Sequence, residues 1–149
     1  MSSVNRKEDT PSVINMADLH AAIKDFSLHM DKLQHMFRVP RLINKQNNNP
    51  LSTRYEVFLD KVEAFEDEAD LVFNWSTTAK ELGSEISDTE RADLFRLMAR
   101  ISQENQSCFT EFDTLCKRGK DVPRSVASSR ESLSLNVKNA ILDIRKILL

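Results

Sequence analysis

The chain is poor in the residues that turn a backbone. Of its 149 residues only 2 are Gly and 4 are Pro. Sandwiches and barrels consume turn residues at every corner, so those classes are excluded and long helices are favoured. Cysteine is equally scarce, at 2, which excludes a disulfide scaffold. Neither sign of charge dominates: Lys+Arg is 21 and Asp+Glu is 23. A global attraction to nucleic acid or to an anionic membrane is therefore not expected. No apolar run approaches the length of a membrane span. The opening segment MSSVNRKEDTPSV has no apolar stretch of the kind a secretory signal needs. An intracellular, cytoplasmic location is the expectation, with cytoskeletal attachment or a nuclear place left open. What the chain does have is 40% hydrophobic residues, enough to build a core.

Residues 1–15 read as a polar, disordered leader. From Met16 the apolar residues fall into step: Met16, Leu19, Ile23, Phe26, Met30, Leu33 and Phe37 are spaced 3, 4, 3, 4, 3, 4. That is a heptad seam. It predicts an amphipathic helix over 16–39, stopped by Pro40, which cannot donate to a helical ladder. PRLINKQNNNPLST, residues 40–53, reads as an Asn/Pro linker, with Ser52 or Thr53 as a helix cap.

Three further helices are predicted in 54–149. The first presents Tyr55, Phe58, Val62, Phe65, Ala69, Val72, Trp75, Ala79 and Leu82 on one face, and Gly83 ends it. The next opens at Ser87-Asp88-Thr89-Glu90, a capping box. Its seam is Leu94, Met98, Ile101, Asn105, Cys108, Phe112 and Leu115, closed by Gly119. The last starts after Pro123, with Val126, Arg130, Leu133, Val137, Ala140, Ile144 and Ile147 on its seam. Short joins make neighbouring helices antiparallel. The fold class is all-α: an elongated antiparallel three-helix bundle over 54–149 with an additional N-terminal amphipathic helix.

Phe65, Ala69, Val72 and Trp75 in FEDEADLVFNW resemble the first helix of a spectrin repeat, where an aromatic, a small, an aliphatic residue and a tryptophan stand at such intervals. Leu94, Leu97 and Met98 resemble the aliphatic cluster of that family's second helix, and Leu115 and Gly119 its end. The family's third-helix tryptophan is replaced by aliphatic residues around Val137, and its second-helix histidine is absent. The resemblance spans residues 54–149. It implies a non-catalytic scaffold or cytoskeletal-linker role.

Chemistry-bearing constellations are scarce. His20, His29 and His35 are spaced nine and six apart, whereas helical metal pairs need three or four, so no metal site is expected. Cys108 and Cys116 on one helix would be about 12 Å apart, too far to bridge. Glu63, Glu66, Asp67, Glu68 and Asp70 read as a solvated face. Two glycines cannot build a phosphate loop, and no GxSxG or CxxC occurs. Neither an enzyme nor a cofactor is expected. Lys117, Arg118, Lys120 and Arg124 form a basic turn that either offsets a helix dipole or makes a weak contact with an anionic surface. Nucleic acid is not a partner, since no aromatic residues interleave with it.

Partners are expected to be proteins, met by helix–helix packing. The seam residues Leu19, Ile23, Phe26, Met30 and Leu33 are candidates for docking a partner helix. If they do, a small subunit of an obligate trafficking, transcriptional or kinetochore assembly is the alternative to the scaffold module. The expected core layers are Phe65, Val72, Leu94, Met98, Ile144 and Ile147. Reflection about the turns places Trp75 against Ile144, Ile147 and Leu148.

Overall fold

The structure, a computed structural model, describes residues 14–46, 52–118 and 124–149. These residues are helical, with no strand among them. In chain order the helices are α1 (Met16–Gln46), α2 (Thr53–Leu82), α3 (Asp88–Arg118), the short α4 (Arg124–Ala127) and α5 (Arg130–Leu148). Local chemistry sets their ends. The Asn15 side chain accepts from the Ala17 and Asp18 N–H groups (2.9 and 3.3 Å), starting α1. Ser52 Oγ accepts from Tyr55 N–H (3.2 Å), starting α2. Gly83, at φ 65°, ends α2 in the left-handed conformation that glycine adopts without steric cost. The capping box forms as expected: Ser87 Oγ accepts from Glu90 N–H (3.1 Å), and Glu90 Oε1 accepts from Ser87 N–H (3.0 Å).

The helices assemble as a bundle in which α1 lies between α2 and α5, and α5 in turn packs on α3. Leu19, Ile23, Phe26, Leu33, Met30 and Phe37 are at most 1% exposed. The seam expected to dock a partner is thus filled from within the same chain. Nor does the chain divide at 40–53 into an appended helix and a three-helix bundle over 54–149. α2 and α5 hardly meet, because α1 occupies the space where a three-helix arrangement would join them.

The stop expected at Pro40 also fails. α1 runs on to Gln46 with Pro40 buried inside it. An interior proline costs about 3 kcal/mol in an isolated helix. Here tertiary contacts hold the turn around it. Tyr55 Oη donates to the Phe37 carbonyl (2.5 Å), three residues before the proline. Arg38 pairs with Glu66 (2.6 Å), and Arg41 pairs with Glu56 and Glu63 (3.0 and 3.3 Å). Phe37, Tyr55, Phe58 and Phe112 stack around the same point, with neighbouring ring centroids 5.0–6.2 Å apart. The remaining linker, 47–51, and the leader over 1–13 lie outside the described residues; Ile14, at the leader's end, is buried.

The last predicted helix is broken at Ser128–Ser129 into α4 and α5. Arg130 stitches the break: Nη1 donates to the Ala127 carbonyl (2.6 Å) and Nε to Asp113 Oδ1 on α3 (2.8 Å). Its polar place on the seam therefore serves a joint between elements. Asn105, the other polar seam residue, is buried in α3.

A chain begun at Ser52 lacks α1 and exposes the faces of α2 and α5 that it covers. It should lose the cooperative thermal transition seen by circular dichroism in the whole chain. In the whole chain, Phe26→Ala should lower urea stability by about 3–5 kcal/mol, the usual cost of emptying a fully buried aromatic site. A fragment that melts as cooperatively as the parent would return α1 to the status of an appendage.

Candidate functional site

Among the described residues, three edges of the bundle are closely packed. The fourth, between α2 and α3, is not. At its middle the facing residues include charged and small ones, Lys61, Ala64 and Glu68 on α2 and Arg100, Glu104 and Ser107 on α3, beside Phe65 and Cys108. Polar straps span the gap. Arg100 grips Glu68 with both nitrogens (3.0 and 2.9 Å), and Arg54 grips Glu111 in the same forked way (2.5 and 3.2 Å). An Arg–carboxylate pair needs more lateral room than two interlocking aliphatic side chains. The helices consequently stand apart.

The result is a groove. Its wider part, about 500 Å³, is lined by Leu71, Val72 and Trp75 from α2 and by Leu94 and Leu97 from α3, with Glu68, Glu90, Asp93 and Arg100 at the rim. It continues past the Arg100–Glu68 strap over Phe65, Cys108 and Lys61. Leu71 is 69% exposed, beside the other apolar groups of the groove.

Trp75 stands in the wall of this groove, half-buried. Its indole N–H donates to Glu90 Oε2 (3.2 Å). The expected burial against Ile144, Ile147 and Leu148 is not what forms. The seam of α2 instead passes from Phe65, Ala69 and Val72 to Ser76, which is fully buried. Trp75 comes one position early and turns toward α3. Ser76 escaped sequence reasoning because a serine does not look like a core residue. Its hydroxyl donates to the Phe73 carbonyl (2.8 Å) and lies 3.1 Å from His20 Nδ1.

The other expected core residues, Phe65, Val72, Leu94, Met98 and Ile144, are buried, and Ile147 is partly so. His20 stacks on Phe73 (5.6 Å) rather than facing solvent. Its pKa is lowered, first by burial and then by Lys80 and Lys24. Of the carboxylates expected on a solvated face, Glu63, Glu66 and Glu68 are taken by arginines of α1 and α3, while Asp67 and Asp70 are exposed. In the basic turn, Lys117 pairs with Asp113 (3.2 Å) and Arg124 is exposed. Lys120 and the Arg118 side chain lie outside the described residues.

Cys108 and Cys116 are free thiols. Burial pushes the Cys108 thiol up to about 11, so it is a poor nucleophile. No cluster of three metal-ligating side chains occurs among the described residues, and none of their helices is long and apolar enough to cross a membrane. Comparison with protein-family models, curated proteins and solved structures returns no match.

Glu90 joins the α3 cap to the groove, because one carboxylate accepts from both Ser87 and Trp75. The Ser87 backbone N–H, then the indole, then the Ser87 hydroxyl hold its pKa below the usual glutamate value. A depressed folded-state pKa means that the stabilising contribution is present above the unfolded value and is lost as pH falls through the folded one. Trp75 emission should therefore hold steady as pH falls through the usual glutamate range and change only below it. Glu90→Gln should abolish that acid step while leaving the helical signal intact. An unaltered step would show that Glu90 does not control the indole.

Proposed function

We propose that this protein is a non-catalytic protein–protein interaction module that binds its partner in the α2–α3 groove. The observation that carries the reading is the apolar strip of exposed Leu71 and half-buried Trp75 and Leu97 on the bundle edge left open among the described residues. Half-buried tryptophans with an apolar body and a polar handle are frequent anchors of binding surfaces. The polar groups around the strip are engaged in forked ion pairs and a capping box. They serve architecture and orientation better than proton transfer. The cytoskeletal-linker form of the role draws its support from the spectrin-repeat resemblance of Phe65, Ala69, Val72 and Trp75.

A second reading, a subunit of an obligate helical assembly, gains support from another face. Leu135, Leu142 and Leu149 are exposed and spaced by seven along α5 and the chain end. Such a stripe fits a neighbouring helix.

Affinity capture from the native source separates the two. The baits are the whole chain, a Leu71→Asp/Leu97→Asp variant and a Leu135→Asp variant, each checked for unchanged helicity. The groove reading expects partner chains with the parent and with Leu135→Asp, and their loss with the groove variant. The converse pattern supports the subunit reading. Capture indifferent to the groove overturns the module reading.

A further inference from the structure

The walls of the groove limit what it can hold. Both are α-helices, whose backbone N–H and C=O groups bond within their own turns. They offer no main-chain donors or acceptors to a visitor. An extended peptide laid there would bury its own backbone groups without partners, at a cost comparable to a lost hydrogen bond for each. A helix brings its backbone already satisfied and presents only side chains. The apolar lining suits that visitor: Leu71 and Trp75 stand four apart on α2 and Leu94 and Leu97 three apart on α3, the intervals at which helix ridges interlock.

Charge then selects among helices. The two parts of the groove present four carboxylates, Glu68, Glu90, Asp93 and Glu104, against two cations, Lys61 and Arg100, with Arg96 beside them paired to Asp93. Arg100 is committed to Glu68, and exposed Asp60 and Asp67 lie beside the α2 wall. An acidic rim around an apolar floor complements an apolar stripe bordered by bases.

We infer that the groove receives an amphipathic helix of a partner protein, carrying Lys or Arg on both sides of its apolar stripe. This rests on the module reading above. The visiting helix sets apolar side chains against Leu71, Trp75 and Leu97, and its bases face Glu68, Asp93 and Glu104. Arg100 and Arg96 are the competitors: they hold Glu68 and Asp93 and repel an arriving base.

Tryptophan-free synthetic peptides test this, with Trp75, the single tryptophan of the chain, as reporter. One peptide has a leucine stripe flanked by lysines. A second keeps the stripe with glutamates in their place. A third is the lysine peptide with two central prolines. The expected result is a saturable blue shift and protection from acrylamide with the lysine peptide, weakening as salt rises. The glutamate peptide should bind at least about tenfold more weakly, and the proline peptide should fail. Leu97→Asp should abolish the response. Arg100→Ala should strengthen it, a direction that mere loss of structure does not give.

Equal binding of the lysine and glutamate peptides, or of the straight and proline-broken ones, overturns the inference. So does sedimentation showing the free protein self-associated with Trp75 shielded, which makes a second copy the occupant. If no peptide binds yet Leu71→Asp/Leu97→Asp still loses the native partner, the occupant is wrong and the groove reading stands. If native capture ignores the groove, both fall.

Discussion

Leu19, Ile23, Phe26, Met30, Leu33 and Phe37 run an unbroken apolar stripe along α1, and the bundle is arranged around it. Each such side chain, fully buried, is worth about 1.5–3 kcal/mol. The stripe separates α2 from α5, which would otherwise have to cover each other. With α1 between them, α2 is held mainly by α1, and α3 mainly by α5. The α2–α3 edge is then the least closely packed, and its apolar residues Leu71, Trp75 and Leu97 are left partly in water. The groove is thus a consequence of how four unequal helices share one core.

Several of the polar residues inside this scheme have specific partners, although His29 Nδ1 and Arg145 Nε are buried without one among the described residues. Gln34 is buried where α1 meets α2 at the Val62–Glu66 turn. Arg91 Nε donates to the Leu148 carbonyl (2.5 Å), meeting an acceptor that the end of α5 would otherwise leave bare. The Arg145 guanidinium lies over the Phe95 ring, 4.8 Å from its centre. These contacts explain why the chain stays ordered and apolar to its last turn, as ILDIRKILL anticipates. Exposed ion pairs add little each, about 0–1 kcal/mol. Their value lies in register, because Arg38 and Arg41 fit Glu56, Glu63 and Glu66 at one alignment of α1 against α2.

The helical fold was legible because its signals are local. Heptad steps, the Ser87–Glu90 box and the Gly83 stop each lie within a few residues, and all three form. The α3 seam holds from Leu94 to Leu115, with even Asn105 in its expected place. What stayed hidden depends on partners distant in sequence. Pro40 reads as a stop until Tyr55, Glu56, Glu63 and Glu66 brace the turns around it. Trp75 reads as core until Ser76 takes the buried position, a choice made bearable by the bonds of its hydroxyl. Arg38 and Arg41 meet carboxylates of α2 that read in sequence as a solvated face. The groove was hidden for the same reason, since an Arg–Glu pair across helices looks the same in sequence as two solvated charges.

Strength is distributed unevenly along the open edge. At one end, Phe58 and Phe112 belong to the aromatic cluster, with Arg54–Glu111 outside them. At the other, the tight turn after Gly83 and the bonds of Glu90 tie Trp75 to the start of α3. Between them the helices are joined across the surface by Arg100 and Glu68, whose arginine is half in water. An exposed pair of this kind exchanges its partner for water or for another ion at little free-energy cost. The edge is therefore anchored at its ends by packing and caps and joined at its centre by an exposed ion pair, where Leu71 faces outward and Leu97 is half-buried. A ligand entering there need not break the core, and the Arg100–Glu68 pair is the contact it must replace.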